Sequence, residues 1–341
     1  MKVLLSGTGG GAGWPAPGCG CASCAGLPPG HRRRPFELVV DDAVRYPFVD
    51  PPPGYRACAG GLGLVCPGGP ALLYVPPGEQ SPPGDGPSRY DVVLIDLLDQ
   101  PERLGELRRA GSVDEATRVV AVGLDHRIRS EEELARRLGL WGAVAVPDGT
   151  TLEISAGRPR ATPSGSRGRL ARRALLLGGS RSGKSAEAEL RLAAEPYVTY
   201  VATGPDGGGD GEWAARVRAH RVRRPAHWDT AETTDLTATI GNATTPLLID
   251  GLGTWLAAVF DEHGAWEGDR APVSGRCDDL VAAWRQAPQP IVAVSDEVGM
   301  GVVPATASGR AFRDALGRLN ERLAAESEYV ALVVAGRLLE L

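Results

Sequence analysis

The stretch ALLLGGSRSGKSAEAELRLAA at 174–194 decides the fold of the second half of this chain. It joins an apolar run to the glycine-rich octapeptide GGSRSGKS at 178–185, and then to a segment with helical spacing. The octapeptide satisfies the pattern G-x-x-x-x-G-K-[ST], in which backbone N–H groups and a helix N-terminus surround phosphates. The sequence therefore predicts a phosphate-binding loop between a strand and a helix.

Two side chains of this loop carry the expected chemistry. Lys184 is predicted to reach the terminal phosphates of a nucleotide, and Ser185 to offer its hydroxyl to Mg²⁺. Of the 37 basic residues only Lys2 and Lys184 are lysines, so a chain that almost always uses arginine keeps a lysine here. A planar guanidinium does not replace a compact ammonium, which favours a functional loop over a glycine-rich turn with a chance Lys-Ser pair.

Asp250 is the candidate acid for the metal. It closes the apolar run 246–250 and precedes Gly251, so its carboxylate is expected at the carboxyl edge of a sheet. The alternative is an aspartate that ends a strand and caps the following helix. Beside the phosphate loop, Mg²⁺ coordination is the favoured interpretation.

Strand-like and helix-like segments alternate through the second half of the chain, which predicts a mostly parallel sheet with helices on both faces. Expected strands lie at 174–177, 197–202, 246–250, 290–294 and 329–335, and expected helices at 184–194, 211–221 and 311–325. The first half is less regular. Its expected strands lie at 1–6, 91–97, 118–122 and 143–146, its expected helix at 130–138 and its long loop at 50–88.

Length and composition bound the possibilities. A chain of 341 residues exceeds a usual single core. We predict a first domain at 1–150, a Gly-, Pro- and Arg-rich linker at 151–172 and a second domain at 173–341.

The net charge of −5 excludes a strongly basic nucleic-acid binder. No apolar stretch suits a membrane span or a signal peptide, so we expect a cytoplasmic protein.

His220 is the candidate nucleophile. It ends the segment ARVRAH at 215–220, and Arg216, Arg223 and Arg224 lie near it in the sequence. Cations disfavour the protonated imidazole and hold phosphates, so this histidine is available for covalent catalysis. A solvated basic helix face with an incidental histidine is the alternative.

Several motifs of the second half occur together in one known family. They are GGSRSGKS at 178–185, YVAT at 200–203, RRPAHW at 223–228, LLIDGLGTWL at 247–256, SDEVGMGVVP at 295–304, RAFRDALGRLNERLA at 310–324 and VVAG at 333–336. In order and spacing the region from 173 to 341 resembles the bifunctional adenosylcobinamide kinase / adenosylcobinamide-phosphate guanylyltransferases of cobalamin biosynthesis, which have a P-loop NTPase-like fold.

The resemblance implies two reactions at one site. The first passes the γ-phosphoryl group of ATP or GTP to adenosylcobinamide, and the second transfers GMP from GTP through a His220–GMP intermediate to adenosylcobinamide phosphate. It also implies a homotrimer. Glu297 lies just after the expected strand at 290–294, at a sheet edge, so we expect it to orient the cobinamide hydroxyl or a metal-bound water. The implied nucleotide contacts are Gly178, Gly179, Ser180, Arg181, Ser182, Gly183, Lys184, Ser185, Ala202, Thr203, Gly204, Arg224, Pro225, Ala226, His227, Glu232 and Asp250, and the implied Mg²⁺ ligands are Ser185 and Asp250.

Two positions depart from the family pattern. Asp296 stands where asparagine is usual, and Glu321 stands where glutamine is usual. Each exchanges an amide for a carboxylate that only accepts hydrogen bonds. We expect these departures to affect affinity or oligomer contacts rather than the chemistry.

The N-terminal sequence MKVLLSGTGGGAGWPAPGCGCASC resembles metallo-β-lactamase-fold hydrolases of the phosphodiesterase type. Six cysteines are too few for a disulfide scaffold. Cys19, Cys21 and Cys24 are instead candidate ligands of a structural Zn²⁺, with a fourth ligand expected from Cys58, Cys66 or His31. Three reduced cysteines in a loop are the alternative.

The H-x-H-x-D-H cluster through which that fold hydrolyses is missing from this chain, where Leu124-Asp125-His126 is at most a remnant. We therefore expect a degenerate, β-rich and catalytically inactive first domain rather than an active phosphodiesterase. The leading hypothesis for the whole chain is a bifunctional corrinoid kinase and nucleotidyltransferase. A nucleotide-binding regulator without transferase activity is the alternative from another class.

Overall fold

The computed structural model describes residues 1–78, 84–155, 171–204 and 224–341. The chain divides into two compact units. The first is Met1–Arg169 with Ala193–Pro196, and the second is Leu170–Leu192 with Tyr197–Leu341. Among the described residues, no helix has both the length and the apolar character that a membrane crossing requires.

The first unit is built on two sheets. Its strands are β1 (Lys2–Gly7), β2 (Glu37–Val40), β3 (Val44–Arg45), β4 (Arg56–Cys58), β5 (Gly63–Val65), β6 (Ala71–Val75), β7 (Val92–Ile95), β8 (Arg118–Ala121) and β9 (Thr150–Glu153). One sheet has the order β3-β2-β1-β9 and the other β4-β5-β6-β7-β8. Buried side chains from both sheets, among them Leu5, Leu38, Leu72 and Leu94, form one shared core.

Three α-helices accompany these sheets among the described residues: α1 (Ala22–Gly26), α2 (Glu102–Arg109) and α3 (Glu131–Trp141). The third begins where Ser130 Oγ accepts a hydrogen bond from the Glu133 N–H at 3.2 Å. It ends at Gly142, whose φ of 63° suits a residue without a side chain. These local signals explain why this helix was predictable from the sequence.

Two expectations for the first unit were wrong. The region 50–88, expected to be loop, contains β4, β5 and β6, because the short apolar runs between its prolines and glycines are buried in the core. The expected strand at 143–146 is reduced to an isolated bridge between Val120 and Val144. In addition, β9 lies within the first residues of the predicted linker and pairs with β1. Most of that linker, 156–170, lies outside the described residues.

The second unit has a seven-stranded sheet. Its strands are β10 (Arg173–Gly178), β11 (Thr199–Ala202), β12 (Asp229–Glu232), β13 (Leu247–Asp250), β14 (Ile291–Asp296), β15 (Tyr329–Val334) and β16 (Arg337–Glu340). The order is β12-β11-β13-β14-β10-β15-β16. All neighbours pair in parallel except β15 and β16. This arrangement confirms the predicted α/β class.

Helices cover both faces of this sheet. They are α4 (Lys184–Leu192), α5 (Leu236–Gly241), α6 (Leu252–Glu262), α7 (Ala271–Gln286) and α8 (Ala307–Ala325). One core joins Leu175, Ile249 and Ala293 of the sheet to Trp255 and Trp284 of helices α6 and α7. The other joins alternate strand residues to Ala188 and Leu192 of helix α4. The helix expected at 211–221 lies outside the described residues.

Candidate functional site

The glycine-rich octapeptide forms the turn between β10 and α4. A Cβ atom on Gly178 would lie 2.6 Å from both Ser182 Oγ and the Val333 carbonyl oxygen, so only glycine fits there. Gly183 has a φ of 101°, which residues with a side chain rarely adopt. Ser182 N–H donates to the Gly179 oxygen at 3.2 Å and Gly336 N–H to the Ser182 oxygen at 2.7 Å. Backbone hydrogen bonds within the loop and from Gly336 therefore hold the loop at the start of a helix.

Lys184 is the first residue of α4 and is only 8% exposed. Its Nζ donates to the Gly179 carbonyl at 3.0 Å, so the side chain folds back over the loop. The same Nζ lies 2.9 Å from Asp296 Oδ1 at the end of β14. The ammonium thus lies over the phosphate-binding loop, where the lysine of the G-x-x-x-x-G-K-[ST] pattern contacts phosphate.

Ser185 and Asp250, the two expected magnesium ligands, are brought together. Ser185 Oγ donates to Asp250 Oδ1 at 3.0 Å. The other carboxylate oxygen accepts a short hydrogen bond from the Tyr200 hydroxyl. Burial and the neighbouring carboxylate raise the pKa of Tyr200 far above its usual value, so this hydroxyl keeps its proton and donates it. The arrangement fixes Asp250 beside the phosphate loop.

Strand register extends the site along the carboxyl edge of the sheet. Ala202 pairs with Asp250 on one side and with Glu232 on the other. Next to them, Thr203 is buried and its Oγ1 donates to the Gly251 carbonyl at 2.7 Å. Gly204 follows directly in the chain. These predicted residues therefore lie in a row that starts beside Asp250.

A cavity of about 380 Å³ adjoins this row. Its lining consists of Arg224, Pro225, Ala226, Trp228, Thr230 and Glu232. The Arg224 guanidinium lies 3.4 Å above the centre of the Tyr200 ring, which links the cavity to the Asp250 carboxylate. Within the described residues, Trp228 Nε1 and Arg224 Nε are buried without a hydrogen-bond partner. Most buried donors in folded proteins have a partner, so an ion, a water or a ligand is a candidate partner for these two.

The remaining predicted residues differ in how the structure places them. Glu297 Oε1 accepts from the Gly299 N–H at 2.7 Å, so this carboxylate braces its own loop. His227 lies between two cavity-lining residues, Ala226 and Trp228. His220, the candidate nucleophile, lies outside the described residues.

A second cluster lies in the first unit. The ligand atoms of Cys19, Cys21, Cys24 and His126 all lie within 4.8 Å of one another, and Cys24 Sγ is 3.7 Å from His126 Nδ1. Burial raises the pKa of the Cys24 thiol to about 11, whereas the Cys24 backbone N–H lowers the pKa of Cys21. The cluster offers four donor atoms, three cysteine sulfurs and one histidine nitrogen, a set typical of a structural zinc site.

None of the three residues expected to supply the fourth zinc ligand lies with the cysteines. Cys58 and Cys66 are buried elsewhere in the first unit, and His31 lies 3.7 Å from Glu131. His126 instead lies beside the cysteines, because the loop after β8 returns the chain to them. Residues so far apart in sequence cannot be placed together by a local pattern, although His126 is one of only five histidines.

Sequence reasoning also missed three residues near the candidate site in the second unit, Tyr200, Trp228 and Thr230, and the contact of Asp296 with Lys184. Tyr200 lies within the motif YVAT at 200–203 and Trp228 within RRPAHW at 223–228, where other residues carry the expected contacts. Their proximity to Asp250 and to the cavity follows from strand register and from a turn, which local patterns do not encode.

Comparison with known proteins places the similarity in the second unit. Residues 174–341 match the family described as cobinamide kinase / cobinamide phosphate guanyltransferase. The bifunctional adenosylcobalamin biosynthesis protein CobU of Salmonella typhimurium is 40% identical over 175 residues, which is 48% of this chain and 95% of that protein. The corresponding CobP protein of Pseudomonas aeruginosa is 41% identical over 172 residues, 48% of this chain and 94% of that protein.

Proposed function

Because this chain belongs to the cobinamide kinase / cobinamide phosphate guanyltransferase family, we propose that both reactions take place at the carboxyl edge of the β10–β16 sheet. The chain is thus a transferase of cobalamin biosynthesis that uses ATP or GTP. The observation that carries the location is the Ser185–Asp250 contact at 3.0 Å beside Lys184. The phosphate loop, a carboxylate and a buried ammonium there form one binding site for nucleotide phosphates.

Mg²⁺ fits the residues at this edge. Ser185 Oγ and Asp250 Oδ1 are oxygen donors within hydrogen-bond distance, and magnesium prefers oxygen ligands. These two residues would hold the ion, which when bound neutralises phosphate charge. Lys184 would bind the terminal phosphates, and Tyr200 would keep the Asp250 carboxylate in position.

The cavity beside Arg224 is the proposed place for the nucleoside part of GTP. Glu232 supplies a carboxylate that accepts N–H groups, and Trp228 Nε1 and Arg224 Nε supply buried donors. A guanine edge offers both N–H donors and a carbonyl acceptor, which matches this set. Pro225, Ala226 and His227 belong to the same segment and are proposed contacts, as are Ala202, Thr203 and Gly204.

For guanylyl transfer we retain His220 as the nucleophile. Its ring nitrogen attacks the α-phosphorus of GTP, and the bond to the pyrophosphate oxygen breaks. A phosphate oxygen of adenosylcobinamide phosphate then attacks the same phosphorus, and the P–N bond breaks to free the imidazole. Family resemblance supports this role and a homotrimer. The position of Glu297 directly after β14 supports its orienting role, and a cytoplasmic location stays a prediction.

Labelling tests the proposed function directly. The purified chain is incubated with Mg²⁺ and α-³²P-GTP, then denatured and separated by electrophoresis. We expect an acid-labile, alkali-stable label that is absent in His220→Ala and present in His263→Ala, a matched histidine at the end of α6. In parallel, γ-³²P-ATP should label adenosylcobinamide. Bound nucleotide with neither label would instead identify a regulator without transferase activity.

We also propose that Cys19, Cys21, Cys24 and His126 hold one structural Zn²⁺. A tetrahedral zinc with bonds of about 2.0–2.3 Å needs ligand atoms about 3.3–3.8 Å apart. Ligand atoms within 4.8 Å of one another fit this requirement after a small adjustment. The ion would join the cysteine loop to the loop after β8.

Metal content tests the zinc site. Purified protein should contain about one zinc per chain by elemental analysis. His126→Ala and Cys24→Ser should each lose most of that zinc, while His31→Ala and Cys58→Ser should keep it. Zinc that follows His31 or Cys58 instead of His126 would overturn the assignment.

A further inference from the structure

The Lys184 ammonium shares its surroundings with a carboxylate. Its Nζ lies 2.9 Å from Asp296 Oδ1 and donates to the Gly179 carbonyl at 3.0 Å. An ammonium has three N–H donors, so one remains for a phosphate oxygen while both contacts persist. A bound phosphate and the Asp296 carboxylate would then be neighbours around one cation.

Asp296 is held in this position by a buried network. Its backbone oxygen accepts from Asn320 Nδ2 at 3.1 Å, and Asn320 Oδ1 accepts from Ser295 Oγ at 2.6 Å. Asn320 and Ser295 are buried, with exposures of 4% and 1%. In the sheet, Asp296 pairs in register with Gly178, the first residue of the phosphate loop. The backbone around the carboxylate therefore has little freedom to move away from the site.

We propose that Asp296 makes the site select magnesium-bound nucleotide over metal-free nucleotide. The inference rests on the proposed function, because it requires nucleotide phosphates at Lys184. A metal-free triphosphate carries a charge of about −4, and Mg²⁺ reduces it to about −2, so a carboxylate beside the phosphates repels the metal-free form more strongly. The carboxylate also takes part of the ammonium's charge, which weakens its attraction for any phosphate.

The proposed effect of Asp296 on nucleotide binding differs from the effect that a metal ligand would have. The observed partner of Asp296 is Lys184, whereas Ser185 and Asp250 form the oxygen pair that suits Mg²⁺. If Asp296 acts by repulsion, its removal strengthens nucleotide binding. If it held the metal, its removal would weaken binding in the presence of Mg²⁺.

The test measures GTP affinity by calorimetry, with excess Mg²⁺ and separately with EDTA. The full chain is compared with Asp296→Asn, which keeps the shape of the side chain but removes its charge. We expect metal-free GTP to bind about tenfold more tightly to this variant, and Mg²⁺–GTP at most about threefold more tightly. Asp278→Asn is the matched control, since Asp278 pairs at 2.7 Å with Arg322 instead of Lys184. It should change neither affinity.

Each other outcome is decisive. Equal tightening in both conditions, no tightening, or weaker Mg²⁺–GTP binding would overturn the selectivity role while leaving the proposed function intact. No GTP binding by either protein would overturn both proposals. Asp296→Ser provides a second uncharged side chain should the asparagine variant fail to fold, and it should show the same selective gain.

Discussion

Each of the two units contains a cation that contacts carboxylate, but the two cations differ in how many donors their contacts leave for a ligand. In the second unit, Lys184 contacts one carboxylate and one carbonyl. In the first unit, Arg127 contacts three carboxylates, Asp96 and Asp99 at 2.7 Å and Asp125 at 2.8 Å. It also donates to the Gly123 carbonyl at 2.8 Å.

The comparison separates a binding cation from a structural one. Lys184 keeps a donor for phosphate at the end of a sheet, whereas the Arg127 guanidinium already neutralises the acids that follow β7 and β8. That the first unit is catalytically inactive stays a prediction.

The largest expected effect comes from Lys184→Ala. Removal of the ammonium leaves the phosphate charge of the transition state without its main side-chain partner, so phosphoryl transfer to adenosylcobinamide should fall about 10³-fold. Initial rates with γ-³²P-ATP measure this. Lys2→Ala, at the only other lysine, should retain full activity. Activity within tenfold of the parent protein would contradict a phosphate-binding role for Lys184.

Arg127→Ala should destabilise the first unit by about 3–5 kcal/mol, because it leaves a buried acid without its partner. The Asp96 side chain is 3% exposed, and burial raises its pKa even though Arg127 opposes this shift. Urea unfolding of the full chain, followed by far-ultraviolet circular dichroism, measures the loss. Asp96→Asn in the same protein should restore part of it, since the amide carries no buried charge.

An exposed ion pair provides the control for that prediction. Arg45 and Glu37 lie 2.8 Å apart with side chains 70% and 56% exposed. Arg45→Ala should cost less than about 1 kcal/mol. Equal losses in the Arg127 and Arg45 variants would show that the three-carboxylate arrangement adds nothing to stability.

Apart from that control, the smallest expected effect is the pH dependence of stability that Glu133 contributes. Burial would raise its pKa, but hydrogen bonds from Arg136 and Arg137 outweigh it and lower the pKa to about 2. Because the folded-state pKa lies below the unfolded value, Glu133 stabilises the fold above the unfolded pKa. That contribution is lost as pH falls through about 4.5 towards 2.

The measurement compares unfolding free energies of the parent protein and Glu133→Gln at pH 6 and pH 3. We expect the parent protein to be more stable by about 2 kcal/mol at pH 6, with a smaller difference at pH 3. A difference that is constant between these pH values would show that Glu133 does not act through its charge.

Local patterns predicted the parts of the fold that depend on neighbouring residues. The strand, loop and helix around Lys184 follow from an apolar run, glycines and helical spacing, and Ser130 and Gly142 mark the ends of α3. The strands β4 to β6 were missed because three to five residues give little periodicity, and the prolines around them suggested loop. Their burial against the other sheet is a long-range effect.

The candidate site likewise contains residues that local patterns predict and contacts that they do not. Lys184, Ser185 and Asp250 could be predicted because each follows directly from a strand end or a motif. The contact of Asp296 with Lys184 and the place of His126 among the cysteines could not, since each joins residues that are about a hundred positions apart. Strand order and loop direction set those distances, and both are properties of the assembled sheet.

The cysteine–histidine cluster has a consequence for how the chain assembles. Cys24 and His126 are 102 positions apart in sequence, so the proposed zinc would close a loop that contains most of the first unit. Closing a loop of this length restricts the unfolded chain by the equivalent of about 4–5 kcal/mol in chain entropy. The three cysteines are close in sequence and can capture zinc before the sheets form, whereas His126 arrives only with β8. Completion of the metal site would therefore indicate that the sheets of the first unit have formed.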